Sequence, residues 1–374
     1  DIAKRIKQLG LAGCAITDFS TLAGAVDFIK EFKSQGLKPI LGCKIPLETE
    51  YGLAFVTVLA KNTQGWKTLV KLSSESNNPE NYCKQPKLPL DKFKDIADSN
   101  IFVIDGHIDS PLSCALFDHD FSESAAPYDA ESYDDAKAYV HPDWVDRCNS
   151  IISHYCEAVS KENVLLSVQL QDSTNRPCQK LLADGMRYLS KNTECKAIAT
   201  NDSRYATQQD CDDHRVLLCN LMRTTLPEVK SKMSNVSSAR KNLHKHFFRS
   251  CKYHIPSSEE MAEAHTKEEI SNTVAVSSEC GEYDILRAPI LPEFSCPNGE
   301  TPDDHLRNLC RMGWKEKVEG KISAEEQDIY VNRINSELSV LQSSGLSSYF
   351  LIVADIINEI RERGWLPGPK KMFM

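Results

Sequence analysis

The stretch "IATNDSRYATQQDCDDHRVL", residues 198–217, places Asn201 and Asp202 after a short apolar strand and before a polar turn. Oxygen ligands at the carboxyl end of a strand are what a β/α-barrel enzyme uses to hold a catalytic metal ion. Other apolar runs also end in polar groups: Asp18, Cys43 with Lys44, Asn62, His107, and Gln169 with Gln171. Among these, Asp18 and Asp202 are the carboxylates and His107 is the imidazole. A hydrolytic centre of two or three ions needs many more such donors to neutralise its charge. Lys44 and Arg204 bring positive charge to the same mouth, which opposes metal binding. The pattern leaves open whether this is a working metal site or only the shell of one. A plainer reading is that Asp18 and Asp202 bond local backbone N–H groups at the rim, or pair with Lys44 and Arg204. An Asp–Arg pair could then replace a metal as the crosslink between strands.

Positioning these groups requires strands, and the chain alternates strands with helices. "AGCAI" (12–16), "KPILG" (38–42), "FVTVLA" (55–60), "IFVI" (101–104), "VLLSVQL" (164–170) and "AIAT" (197–200) read as strands. "TLAGAVDFIKEFKSQG" (21–36) reads as a helix with Leu22, Val26, Ile29 and Phe32 on its apolar stripe and Gly36 at its end. Residues 65–76 and 178–192 are helical as well. Continuous apolar strands between helices predict a parallel sheet covered by helices. Six such units before residue 201 are too many for one small open sheet and suit a barrel.

Composition narrows the class. The 374 residues carry a net charge of −9, with 41% hydrophobic and 26% charged residues. That is an ordinary globular balance, and it lacks the basic excess of a domain built to grip a nucleic-acid backbone. No apolar run approaches the ~18 residues of a membrane span, and no signal peptide is visible. The chain opens at Asp1 without a Met, as a fragment or processed product does. None of the 14 cysteines falls in a Cys-x-x-Cys pair. Their scatter argues against structural zinc and predicts small buried hydrophobes in a reducing cytoplasm. Residues 117–135 hold seven acidic residues and no Lys or Arg, as a solvated insertion does. Residues 227–249 form a basic, Ser-rich loop, read as a solvated surface or a phosphate-contacting loop.

After about residue 288 the strands stop. "SAEE" (323–326) is a capping box, in which Ser323 accepts from the Glu326 backbone and the Glu326 carboxylate reaches back. The helix that follows is predicted to turn Ile329, Ile334, Leu338 and Leu341 inward, and "SYFLIVADIINEIRERG" is a second, more apolar helix. The expected organisation is a barrel over 1–288 and a helical module over 289–374.

Several stretches in order carry a resemblance. "AITDFSTLAGAVDFIKEFKSQGLKPILGCKIPL", "VTVLAKNTQGWKTLVKLSS", "IATNDSRYATQQDCDDHRVLLC", "YHIPSSEEM", "ISNTVAVSSEC", "LPEF" and "YVNRINSELSVLQSSGLSSYFLIVADII" resemble the N-terminal PHP (polymerase and histidinol phosphatase) region of the C-family replicative polymerases, the bacterial DNA polymerase III alpha subunits. The resemblance covers nearly the whole chain. It implies a distorted (β/α)7-like barrel whose first strand, with a His-x-His motif, precedes this chain, followed by a helical segment leading into the polymerase palm.

The departures from that family are specific. Active PHP sites are expected to carry His at Phe19, Glu at Lys44, Glu at Gln169, His at Ser173 and His at Arg204. By resemblance, Asp18, His107 and Asp202 are the remaining ligand positions. The family's metal-free PHP domains imply a structural support and a docking platform for a proofreading exonuclease. Sliding clamp and primer-template DNA would be partners through a full-length polymerase in the cytoplasm. The palm's Mg2+-binding aspartates, which catalyse nucleotidyl transfer, are expected beyond Met374. Lys370 and Lys371 could touch phosphate or belong to a frayed tail. Two other functions fit the resemblance: a free-standing metal-dependent PHP phosphoesterase or pyrophosphatase, and a truncated binding protein without catalysis.

Overall fold

The computed structural model describes residues 1–82, 85–117, 126–232, 245–286 and 290–366. Most of the acidic insertion's first half, the centre of the basic loop, and Lys370 and Lys371 lie outside the described residues. The chain divides into two compact units, Asp1–Leu286 and Arg287–Met374.

The first unit is built on strands β1 (Gly13–Phe19), β2 (Lys38–Thr49), β3 (Gly52–Ala60), β4 (Leu88–Pro89), β5 (Ile101–Asp105), β6 (Val164–Gln169) and β7 (Lys196–Thr200). They form one sheet in the order β1-β2-β3-β5-β6-β7, with β4 paired to β2. Its helices include α1 (Ala25–Ser34), α2 (Thr63–Ser76), α3 (Trp144–Val159), α4 (Pro177–Thr193), α5 (Cys211–Leu221) and α6 (Lys267–Glu279). This is the mixed α/β barrel architecture expected, present as a curled half-barrel.

One expectation fails. The sheet is not wholly parallel: β3 runs antiparallel to both β2 and β5. The reason is local. β2 continues through Thr49, and Thr49 pairs with Gly52 across a two-residue loop. Such a loop can only join antiparallel neighbours, because a parallel return needs a crossover of a dozen residues or so. Gly52 takes a φ of 117°, which favours glycine at that bend.

Strand alternation sorts the side chains into two layers. On the outer face, Leu41, Cys43, Val58, Val103, Leu166 and Val168 pack with Ile29 of α1, Leu69 of α2, Ile152 of α3 and Leu182 of α4. On the inner face, Ile40, Leu59, Phe102, Ile104, Leu165 and Ile198 pack against Val276 and Cys280 at the end of α6. Each such buried side chain contributes about 2 kcal/mol. Helix α6 is also fastened to β7: Asn272 Nδ2 donates to the Ala197 carbonyl and Thr273 Oγ1 to the Ala199 carbonyl, each at 2.9 Å. The inner face is thus apolar at its base, and the polar residues lie nearer the opposite end.

Seven of the cysteines follow the expectation of burial. Cys43, Cys114, Cys148, Cys178, Cys195, Cys219 and Cys280 are buried, and burial pushes the Cys43 thiol up to about 12. Cys211 and Cys251 instead form a disulfide. Their separation of 40 residues hides the pairing in the sequence, which the returning chain brings together.

The second unit consists of α7 (Pro302–Lys317), α8 (Ala324–Ser343) and α9 (Ser347–Glu362). The capping box at Ser323 and Glu326 is formed as read from the sequence. Leu306, Leu338 and Leu351 make the core, with Ile334 and Leu341 packed on it. Ile329 is not part of this core: it is 69% exposed, because the helix face turned inward runs through 334, 338 and 341. Among the described residues no single helix is long and apolar enough to cross a membrane.

Candidate functional site

Strand register builds the mouth of the half-barrel. Phe19 of β1 pairs with Lys44 of β2, and Lys44 pairs with Thr57 of β3. The three therefore stand side by side on the inner face. After β5 the chain turns at Gly106, with a φ of 104°, and delivers His107 and Asp109 to this row. A Cβ on Gly106 would lie 2.4 Å from Met186 Sδ, so the turn needs glycine for space as well as conformation. The loop is fixed to β3 by the Phe55 N–H, which donates to the Asp109 carbonyl at 2.8 Å.

The side chains then interlock. Lys44 is 7% exposed, and its Nζ lies 3.3 Å and 3.5 Å from the two oxygens of Asp109. His107 Nδ1 lies 2.8 Å from Asp109 Oδ1, and His107 Nε2 is 3.1 Å from Thr57 Oγ1. Burial alone would raise the Asp109 carboxyl, but the charges of Lys44, His107 and Arg204 outweigh it and hold it well below the usual carboxylate range.

A second ion pair completes the rim. Arg204 meets Asp202 in a fork: Nη2 is 3.0 Å from Oδ2, and Nε is 3.0 Å from Oδ1. Burial lowers the Arg204 guanidinium, but Asp202, Asp109 and Tyr253 together outweigh it and raise it above its ordinary value. Phe19 is close to both cations. Lys44 Nζ is 4.8 Å and the Arg204 guanidinium carbon 5.3 Å from its ring centroid. Phe55 meets the same ring edge-on at 5.0 Å.

The structure brings together only some of the residues singled out in the sequence. His107, Asp202, Phe19, Lys44 and Arg204 converge on the mouth. Asp18 does not join them: it pairs with Cys43, one residue out of step with Phe19 and Lys44, and so faces the helix layer. Its Oδ2 lies 3.1 Å from where a Cβ on Gly24 would stand, just before α1. Asn62 is at the opposite end of the barrel, because β3 is reversed. There it caps α2, its Oδ1 accepting from Gln64 N at 2.8 Å and Gly65 N at 3.0 Å. Gln169 is buried at the end of β6, opposite Thr200. The amide atoms of Gln171 are buried without a hydrogen-bond partner among the described residues. Ser173 is partly buried, in a turn where its N–H donates to the Leu170 carbonyl.

Two acidic residues escaped the sequence reading. Asp109 is the charge partner of Lys44, and the His-x-Asp spacing of 107–109 was the available signal. Asp172 is fully buried and accepts from the Tyr253 hydroxyl at 3.0 Å and Asn175 Nδ2 at 2.8 Å. No local signal marks it, since its partner lies 81 residues away. Among the described residues, no group of three or more His, Cys, Asp or Glu is disposed to hold a metal ion.

Residues 1–171 match the PHP domain, and residues 304–371 match the bacterial DNA polymerase III alpha NTPase domain. Relatives are similar over nearly the whole chain. The DNA polymerase III subunit alpha of Pseudomonas aeruginosa is 26% identical over 379 residues, covering 98% of this chain and 29% of that protein. That of Campylobacter jejuni is 24% identical over 400 residues, covering 99% and 30%. That of Helicobacter pylori is 26% identical over 395 residues, covering 98% and 30%. The chain thus spans under a third of the length of the curated relatives it matches. The half-barrel unit thus carries the match to the PHP domain and the helical unit the match to the polymerase III alpha model, and the chain as a whole is similar to part of the DNA polymerase III alpha subunits.

Proposed function

We propose that this chain acts as the N-terminal part of a replicative DNA-directed DNA polymerase, with its PHP barrel as a metal-free scaffold that docks a proofreading exonuclease. The observation that carries the metal-free reading is the pairing of Lys44 with Asp109 and of Arg204 with Asp202. Asp109 and Asp202, the carboxylates that the described residues bring to the mouth, are already paired with fixed cations. A divalent ion would have to displace a buried ammonium and a forked guanidinium, leaving each without a counter-charge. Asp18, turned to the other layer, supplies no third carboxylate. The residues present therefore do not fit a two- or three-metal centre, and no hydrolytic step is assigned to them.

In this reading the ion pairs take over the mechanical part of a metal's work. Lys44–Asp109 ties β2 to the loop after β5, and Arg204–Asp202 stiffens the segment after β7. A rigid mouth suits a platform on which another subunit docks. The parent polymerase would add dNTPs to a primer 3′ end with release of pyrophosphate, with Mg2+ held by palm residues outside this chain. Its sliding clamp and primer-template DNA would be engaged through those further domains. Similarity to alpha subunits along 98% of the chain supports this placement.

The test is elemental analysis of the chain after dialysis against Zn2+ and Mn2+, paired with assays on p-nitrophenyl phosphate and DNA 3′ ends. The expected result is no stoichiometric metal and no hydrolysis. Two or more tightly held ions, or hydrolysis abolished by Asp202→Asn, would establish the phosphoesterase function instead. Docking is checked separately by co-purification of the polymerase containing this segment with its exonuclease subunit.

A further inference from the structure

We propose that Cys211 and Cys251 form a reversible thiol–disulfide exchange site, which reacts with a small-molecule disulfide of the glutathione class and sets the stiffness of the barrel rim. The inference does not depend on the polymerase reading.

The position of the pair suggests its use. Cys211 is the first residue of α5 and is 3% exposed, while Cys251 is partly exposed. Their Cα atoms are 5.4 Å apart, within the usual range for a disulfide. Just beyond Cys251 the chain returns to the rim and pairs with the segment that carries Arg204. Arg204 N donates to the Tyr253 carbonyl at 2.7 Å, and Ile255 N to the Tyr205 carbonyl at 3.1 Å. Asn201 Nδ2 and Ser203 Oγ each donate to the His254 carbonyl at 3.3 Å. The disulfide closes this ribbon at its root, from the first residue of α5 to the segment that returns to the rim. Formed, it confines residues 253–255 against 201–205. Open, it leaves the ribbon to its hydrogen bonds alone.

The exposure difference assigns the order of attack. The reachable Cys251 thiolate attacks one sulfur of the small disulfide and expels one small thiolate. The Cys211 thiolate then attacks Cys251 Sγ and expels the second. The protein gives up two electrons and two protons, and both protons end on the two small thiols released. Reduction retraces the path, a small thiolate attacking Cys251 because Cys211 is covered.

The experiment uses the whole chain, equilibrated with oxidised or with reduced glutathione. Non-reducing peptide mapping is expected to find a 211–251 cystine only in the oxidised sample. Hydrogen exchange at residues 201–205 and 253–255 should slow about tenfold on oxidation. Cys251→Ser should exchange at the fast rate in both conditions. Absence of the cystine in the oxidised sample overturns the proposal, and so does a cystine that leaves rim exchange unchanged. Should Cys251→Ser fail to fold, the wild-type comparison between the two glutathione conditions decides by itself.

Discussion

Phe19 and Lys44 stand opposite each other in register on parallel strands, and the Lys44 ammonium lies 4.8 Å from the centre of the Phe19 ring. Where a metal-binding relative is expected to place an imidazole and a carboxylate, this chain places an aromatic face and a cation. The substitution at one position is chemically matched to the substitution at the other.

Removing the Lys44 charge should expose its partner. Lys44→Met removes the nearest full charge from the buried Asp109 carboxylate and leaves it to His107 and the more distant Arg204, at a cost of up to about 3 kcal/mol. Adding Asp109→Asn to that variant should recover a substantial part. Urea denaturation of the single and double variants measures both, and purely additive losses would rule out the pair as a coupled unit.

Acid should act on two carboxylates with opposite signs. The folded value of Asp109 lies well below its unfolded value. Its contribution is therefore present above the unfolded value of about 3.9 and lost as pH falls through the folded one. Asp105 is buried, and burial raises its carboxyl despite hydrogen bonds from Ser110, the Tyr155 hydroxyl and the Leu112 N–H. Its contribution is present below about 3.9 and lost as pH rises through its raised value. Asp109→Asn should flatten the acid limb of a stability–pH curve, and Asp105→Asn should flatten the rise in destabilisation above it. Unchanged limbs in both variants would contradict these assignments.

Gly106→Ala tests the turn that delivers His107. A φ of 104° costs a residue with a Cβ about 1–3 kcal/mol, and the new methyl must also push Met186 aside. Thermal melts should show the loss. A variant as stable as wild type would mean that the turn rearranges freely.

Asn62→Ala tests the reassignment of that residue from the mouth to a helix cap. Losing two N–H contacts at the start of α2 should cost about 1–2 kcal/mol. Asn62→Asp should retain most of the stability, as read by the same melts.

Much of the architecture was legible from hydrophobic runs, because strands buried on both faces are continuously apolar and the helices between them are not. The capping box at Ser323 was legible because its chemistry is contained within four residues. The direction of β3 was not. "IPLETEYGLAF" contains no break in strand character long enough to signal a reversal, and the bend rests on Gly52 alone. At the mouth, Lys44 and Arg204 were legible as cations, since a charge is visible wherever the chain puts it. Pairing was harder. Asp109 is joined to Lys44 across 65 residues, and Asp172 to Tyr253 across 81, distances at which no periodicity speaks. Asp18 was misplaced by a single step of strand alternation, which composition cannot resolve.

The two-residue link between Thr49 and Gly52 has a reach beyond the bend itself. Side chains along β3 take their layer by odd-or-even count from that link, so Thr57 meets His107 while Val58 enters the helix-covered interior. Lengthening the link by one residue would exchange those two roles along the entire strand, whatever residue were inserted. The chemistry of the barrel opening is therefore indexed to the size of a distant hairpin, and drift in its length is constrained more tightly than drift in its composition.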